Sequence, residues 1–288
     1  MTDTSVMELP DGRELAWLEL GDPAGAAVFG FHGTPGSRLQ LTINPKAIDA
    51  SRVRFIAIDR PGYGHSSYHR GRSLAGWADD VSVLADHLGI ASFAVIGVSG
   101  GGPHAAACAR FMGERVSAAG IVSGVGPLAD REAEVGMLGA NRVMSKLARR
   151  SPYLPLPLFA TMTFVARRWP EAALRTAVKQ LPAADAEVLS RPEVRDSFIE
   201  DSKRASSTAA MAAAQDFALF ATDWGFELGD ISVPVHVWHG DVDRNVPFGH
   251  GRLQAERIPG ATFHQCPGEG HLLVVDHFEE ILRTVSTV

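Results

Sequence analysis

The stretch Phe93-Ala94-Val95-Ile96-Gly97-Val98-Ser99-Gly100-Gly101-Gly102-Pro103-His104-Ala105-Ala106-Ala107 decides how the chain is read. A continuous apolar run, Phe93 to Val98, stops at Ser99-Gly100-Gly101, and Pro103 to Phe111 then holds mostly small and apolar residues. An uninterrupted run rich in Val and Ile suits a parallel strand buried on both faces. Pro103 fits a first helical turn, and a helix of such composition would be buried. The stretch therefore predicts strand, tight turn and helix, with Ser99 at the turn. Gly97 to Gly101 has the form G-x-S-x-G, a weak signal by itself in a chain with 29 glycines. The setting strengthens it. A turn this sharp needs small flanking residues, and the N-terminus of the following helix favours negative charge developing beside the serine.

The same pattern recurs on both sides. Ala27 to Phe31 stops at His32-Gly33, and Val53 to Ile58 stops at Asp59. Ala118 to Val122, Val233 to Trp238 and, more weakly, Ala261 to Gln265 read as further strands. Helices fall between them. Ser73 can cap one in which Leu74, Trp77, Val81, Leu84 and Leu88 recur at three and four residues, with Gly89 to end it. His277 to Val285 puts Phe278, Ile281, Leu282 and Val285 on one face of another. The alternation predicts an α/β fold with a mainly parallel sheet.

The alternation breaks over residues 127–222, which have helical spacing and no convincing strand. This segment is expected to be a helical insertion into a core made of 1–126 and 223–288, with the proline-rich Ser151 to Leu158 joining its helices. Its apolar residues Met137, Leu138, Leu154, Leu156, Phe159, Met162 and Phe164 either line a lipophilic pocket or pack the insertion itself.

Bulk properties narrow the classes of function. A chain of 288 residues suits one large domain, or one with an inserted subdomain. A net charge of −6, from 27 basic and 33 acidic residues, argues against a general nucleic-acid binder. Cys108 and Cys266 lie far apart with no metal-like spacing, so two buried free thiols are expected, as suits a reducing cytoplasm. The N-terminus has no basic start followed by an apolar run, so no signal peptide is expected. Ser151 to Ala166 is uncharged, but it is too short for a membrane span and carries Pro152, Pro155 and Pro157. The expectation is a soluble cytoplasmic protein.

A serine hydroxyl is a poor nucleophile without a base, and the base works best with a carboxylate behind it. Candidates follow Ser99 in the order acid, then histidine. Asp241 and Asp243 both follow the strand ending in Trp238-His239-Gly240, and either can serve as the acid. His271 follows the last predicted strand in Gly268-Glu269-Gly270-His271, a loop able to turn sharply. His65, His69, His87, His104, His236, His264 and His277 read as surface or satisfied buried histidines. An oxyanion needs two backbone N–H donors. Gly100 supplies one, and Thr34 in Phe31-His32-Gly33-Thr34-Pro35-Gly36 supplies the other, since Pro35 has no N–H. Gly33 and Gly36 permit unusual backbone angles or close approach. Each motif follows a predicted strand, so all meet at one edge of a parallel sheet, where ligands bind in open α/β folds.

Taken together, FHGTPGS (Phe31 to Ser37), DRPGYGHS (Asp59 to Ser66), IGVSGGGPHA (Ile96 to Ala105), VWHGDVDRNVP (Val237 to Pro247) and GEGHLL (Gly268 to Leu273) resemble the α/β-hydrolase superfamily. The resemblance spans nearly the whole chain. It implies a mainly parallel central sheet flanked by helices, with the insertion as a cap over the active site. It maps the nucleophile to Ser99 and the base to His271. It favours Asp243 over Asp241 as the acid, through the G-x-x-D segment Gly240 to Asp243. The chemistry implied is cleavage of an ester-like bond in a small lipophilic molecule through an acyl-enzyme, with Gly100 and Thr34 amides on the oxyanion. No metal or organic cofactor is expected, no nucleic acid or membrane partner, and a homo-oligomer is compatible. The fold also hosts acyltransferases, lactonases, carbon–carbon bond hydrolases and cofactor-free haloperoxidase-like enzymes, as well as non-catalytic binders of small ligands. Epoxide hydrolases and haloalkane dehalogenases are disfavoured, because they carry Asp where Ser99 stands.

Overall fold

The computed structural model describes residues 4–129, 135, 137 and 139–287, so Leu138 lies outside the described residues. Its strands are β1 (Ser5–Glu8), β2 (Glu14–Gly21), β3 (Ala26–Phe31), β4 (Val53–Ile58), β5 (Phe93–Val98), β6 (Val116–Val122), β7 (Val235–Gly240) and β8 (Thr262–Cys266). They form one sheet in the order β1-β2-β4-β3-β5-β6-β7-β8. β3 to β8 run parallel to one another, while β2 joins β4 antiparallel and β1 joins β2 antiparallel at that edge.

Three helices precede the midpoint of the chain: α1 (Pro45–Ser51), α2 (Leu74–His87) and α3 (Gly102–Phe111). Between β6 and β7 run α4 (Gly139–Arg150), α5 (Leu156–Arg168), α6 (Pro170–Val178), α7 (Ala183–Ser190), α8 (Pro192–Lys203) and α9 (Ala209–Ala221), with no strand among the described residues. Finally, α10 (Gly249–Arg257) and α11 (Val274–Ser286) follow β7 and β8.

Two apolar layers sandwich the sheet. Phe55, Ile96 and Trp238 pack with Phe278, Ile281 and Leu282 of α11 on one face. Phe29, Ile56 and Val95 pack with Trp77, Val81 and Leu84 of α2, and with Ala105 of α3, on the other. Burial of each such Phe, Ile or Leu side chain contributes about 1.5–3 kcal/mol. Both faces are covered, so the central strands are apolar throughout rather than alternating.

The registers bring strand ends into line. Phe31 pairs with Gly97, Val98 with Val122, Val122 with Trp238, and Gly240 with Cys266. The loops after β3, β5, β7 and β8 therefore open on the same edge.

Several boundaries differ from the sequence reading. β7 starts after Pro234, which has no N–H for a ladder, and not at Val233. One turn of 3₁₀ helix, Ser99–Gly101, separates β5 from α3. α11 begins at Val274, so His277 lies within its first turn and does not open it. Neither β1, β2, α1 nor α10 is anticipated. Glu19 interrupts the apolar run of β2 after Leu18, and α10 is short and polar, so neither carries a strong periodic signal.

Candidate active site

Ser99 sits in the left-handed region at φ +55°, unusual for a residue with a side chain. The conformation costs about 1–2 kcal/mol and persists because the surroundings leave no alternative. A Cβ added at Gly97 would lie 2.2 Å from the Gly101 carbonyl oxygen, and one at Gly101 would lie 2.2 Å from that of Phe31. The Ser99 carbonyl accepts from the Val125 amide at 3.0 Å, tying the turn to the end of β6.

Ser99, His271 and Asp243 meet in one hydrogen-bonded line. His271 Nε2 lies 3.0 Å from Ser99 Oγ, and His271 Nδ1 lies 2.8 Å from Asp243 Oδ2. The carboxylate accepts only, so Nδ1 carries the proton and Nε2 is left to accept the Ser99 hydroxyl. Asp243 Oδ1 accepts from the amides of Asn245 at 2.8 Å and Val246 at 2.9 Å, which fixes the carboxylate plane. Burial pushes the Asp243 carboxyl up, but His271 and the hydrogen bonds from His239 and His271 outweigh it and hold the carboxyl well below the usual range. Burial pulls the His271 imidazole down, yet the Asp243 charge and hydrogen bond leave it above its ordinary value. Asp241 instead accepts from the Gly268 amide at 2.7 Å and is exposed, capping the loop that carries His271. The structure pairs the histidine with Asp243 and not with its neighbour.

Thr34 and Gly100 flank the serine. A Cβ at Gly100 would meet Thr34 Oγ1 at 2.3 Å, and one at Gly33 would meet Ser99 Cβ at 3.3 Å. Gly33 and Gly36 do not take positive φ. Their small size serves close approach, to Ser99 in one case and to the Gln40 side chain in the other. Gln40 braces the loop, accepting from the Gly33 amide at 3.2 Å and donating to the Pro35 carbonyl at 3.0 Å.

The sequence reading misses a buried charge cluster behind this loop. Asp216 of α9 accepts from Arg60 Nη1 at 2.6 Å, Arg72 Nη2 at 2.6 Å, Tyr63 Oη at 2.8 Å and Thr34 Oγ1 at 2.7 Å. Arg60 Nη2 also donates to the Gly33 carbonyl at 2.9 Å and to Thr34 Oγ1 at 2.7 Å. Burial would raise the Asp216 carboxyl, but the two guanidiniums hold it well below the usual range. The only charged residue in the Ala-rich Ala209–Ala221 helix is this aspartate, which was the available signal. Two more carboxylates from the insert meet loops of the same edge. Asp185 of α7 accepts from the Leu272 amide at 2.8 Å, beside His271, and Asp201 of α8 accepts from the Ser37 hydroxyl. His104, read as surface or satisfied, is buried. It donates from Nδ1 to the Gly100 carbonyl at 3.0 Å, and burial together with Arg60 holds it neutral, at about 3.

Two cavities flank Ser99. One, of about 300 Å³, is lined by Met137, Met144, Phe159, Met162, Phe217 and Phe220 together with Ser99 and Gly100. The other, of about 150 Å³, is lined by Ile43, Phe198, Leu272 and Val274 together with Ser99 and His271. Of the insertion residues proposed for a lipophilic pocket, Met137, Phe159 and Met162 line the larger cavity. Leu156 packs beside Met144 and Phe159, while Leu154 and Phe164 are exposed. Among the described residues one group has metal-like proximity: Cys266, Glu269 and His277, with ligand atoms within 4.8 Å of one another. His277 is already bonded to Glu269 and Glu280, and burial pushes the Cys266 thiol up to about 11, so the set favours an ion-paired histidine over a metal centre. Cys108 and Cys266 are both free and buried.

Comparison with known proteins agrees with this architecture. The chain is 26% identical over 281 residues to a bifunctional esterase/perhydrolase of Acinetobacter calcoaceticus, covering 94% of each. It is 29% identical over 280 residues to a non-heme chloroperoxidase of Streptomyces lividans, covering 93% of each. The crystal structure of a bromoperoxidase from Bacillus anthracis superposes with a TM-score of 0.75 at 22% identity, over 99% of this chain and 100% of that one. The profile of the alpha/beta hydrolase fold family matches residues 27–278. With that match over most of its length, the chain belongs to the α/β-hydrolase fold family.

Proposed function

We propose that the protein is a serine hydrolase that cleaves an ester-like bond of a small, uncharged, lipophilic molecule through an acyl-enzyme. The observation that carries this reading is the line from Ser99 Oγ through His271 to Asp243, opening on an apolar cavity. His271 takes the Ser99 proton as Oγ attacks the carbonyl carbon. The Thr34 and Gly100 amides receive the oxyanion, each donor being worth on the order of 10²-fold or more in rate. His271 returns the proton to the departing alkoxide, and Asp243 holds its tautomer and its charge. Water activated by His271 then releases the acid. This chemistry needs no metal or organic cofactor.

In this reading residues 127–222 form a cap on a core of 1–126 and 223–288. Support comes from the insertion's contribution to the cavity wall and from its three carboxylates on the loops of the site. No helix among the described residues is long and apolar enough to cross a membrane. The two free thiols suit a cytoplasmic location.

The test is hydrolysis of p-nitrophenyl butyrate by the wild type and by Ser99→Ala, with fluorophosphonate labelling read by mass spectrometry. Label on Ser99 and loss of turnover by at least about 10⁴-fold in a folded variant are expected. Turnover retained by Ser99→Ala would remove the assignment. A second reading draws on the relative named esterase/perhydrolase: hydrogen peroxide replaces water in the second step and gives a peracid. Peracid yield at graded peroxide concentration separates the two.

A further inference from the structure

We infer that the two cavities beside Ser99 divide the substrate, the acyl chain entering the larger and the alcohol entering the smaller. The enzyme then acts on short-alcohol esters of uncharged, medium-chain acids. This rests on the serine hydrolase reading above and adds the orientation and size of the substrate.

The proton sets the orientation. In the adduct on Ser99 the former carbonyl carbon bears four groups: the serine oxygen, the oxyanion, the alkoxy oxygen and the acyl carbon. The oxyanion faces Thr34 and Gly100. Of the remaining two, only the alkoxy oxygen must receive a proton as its bond to carbon breaks, and the donor is His271 Nε2. The alkoxy arm therefore lies on the imidazole side. His271 lines the cavity of about 150 Å³ and is absent from the wall of the larger one. The acyl arm is left with the cavity of about 300 Å³, which contains Gly100.

Size and lining give the class. At about 30 Å³ per heavy atom, the share of a water molecule in the liquid, the larger cavity holds roughly ten atoms and the smaller roughly five. The larger cavity's wall carries no Asp, Glu, Lys or Arg among the described residues, and Asn141, Asn245 and His250 are its polar side chains besides Thr34 and Ser99, so a charged acid would lose its solvation with no lysine or arginine to pair with. Met137, Met144 and Met162 give that wall adaptable thioethers able to follow chains of differing shape. In the smaller cavity Ile43, Phe198, Leu272 and Val274 close around the alcohol, and the Gln40 amide is already committed to Gly33 and Pro35. Phe198 also borders a separate apolar groove of about 720 Å³ between α5, α6 and α8, and among the described residues it is the one that lines both the smaller cavity and that groove.

The experiment uses two isomeric esters that exchange the long arm, methyl octanoate and heptyl acetate, followed by pH-stat with the full chain. Each methylene placed in an apolar pocket is worth about fourfold, so kcat/KM for methyl octanoate should exceed that for heptyl acetate by at least about 20-fold. Met144→Trp, which fills the larger cavity, should cut that ratio. Phe198→Ala, which opens the smaller cavity into the groove, should also cut it, by raising heptyl acetate turnover. Equal rates for the two isomers, or a preference for heptyl acetate, would overturn the orientation. Turnover of p-nitrophenyl acetate without turnover of either isomer would overturn the chain length and leave the hydrolase reading standing. Failure of fluorophosphonate to label Ser99 would instead remove the hydrolase reading, and this inference with it.

Discussion

Replacement of Asp216 by asparagine tests whether the insert holds the loop proposed to receive the oxyanion. Asp216 is fully buried and accepts from two guanidiniums, a phenol and the Thr34 hydroxyl, all within 2.8 Å. Asparagine keeps the shape, removes the charge and points an N–H₂ at a site ringed by donors. Arg60 and Arg72 remain buried with one counter-charge fewer. Breaking a buried ion pair in this way costs about 3–5 kcal/mol. For a chain of this size that lowers Tm by roughly 6–20 °C. The carboxyl is held below its usual pKa, so its contribution is present above the unfolded-state value near 3.9 and is lost as pH falls through the depressed folded value. The gap in Tm between wild type and variant should thus be full at pH 7 and shrink below about pH 4. Catalysis should suffer separately, because Thr34 Oγ1 loses its acceptor and the Gly33–Thr34 peptide loses its anchor through Arg60. A kcat at least about 10-fold lower, measured well below Tm with KM little changed, is the signature of a displaced oxyanion donor. Calorimetry and steady-state esterase kinetics on the two proteins are sufficient. A variant that melts within 2 °C of wild type at pH 7 and keeps its kcat would refute the argument.

Asp243→Asn should lower kcat by about 10⁴-fold through the wrong imidazole tautomer, whereas Asp241→Asn, which loses only a loop cap, should stay within about tenfold; a severe loss at 241 alone reverses the choice of acid. The acid limb of the kcat/KM profile should fall above pH 6.5, since Asp243 raises His271, and activity should be lost as pH drops through that limb; a limb centred below 6 contradicts the pairing. Burial, outweighing the Ser37 hydrogen bond, raises the Asp201 carboxyl to about 6, so ionising it in the folded state costs stability. That cost is absent below about pH 4 and complete above the raised folded pKa, so Asp201→Asn should stabilise the protein at pH 8, by up to on the order of 3 kcal/mol, and not at pH 4. Chemical denaturation at the two pH values decides it.

Local pattern carried much of this protein. Phe93 to Val98 reads as a doubly buried strand because a parallel sheet covered on both faces demands unbroken apolar runs, and four further strands follow by the same logic. Ser99, His271 and the two candidate aspartates stand out because chemistry-bearing residues follow those runs directly. Elements with weak or interrupted periodicity, β2 and α10, are lost to this kind of reading. What only the tertiary structure decided are relations between segments distant in the chain. Residue type and spacing leave Asp241 and Asp243 open and only the resemblance favours Asp243; the contact itself arises when the β7 and β8 loops are set side by side and that carboxylate reaches His271. Asp216 stands 156 residues from Arg60 and 182 from Thr34, and no spacing rule joins them. The physical reason is range. Periodicity reports which face of one element is buried, whereas a buried charge must find its partner wherever packing brings one, and that choice is made by the whole fold at once.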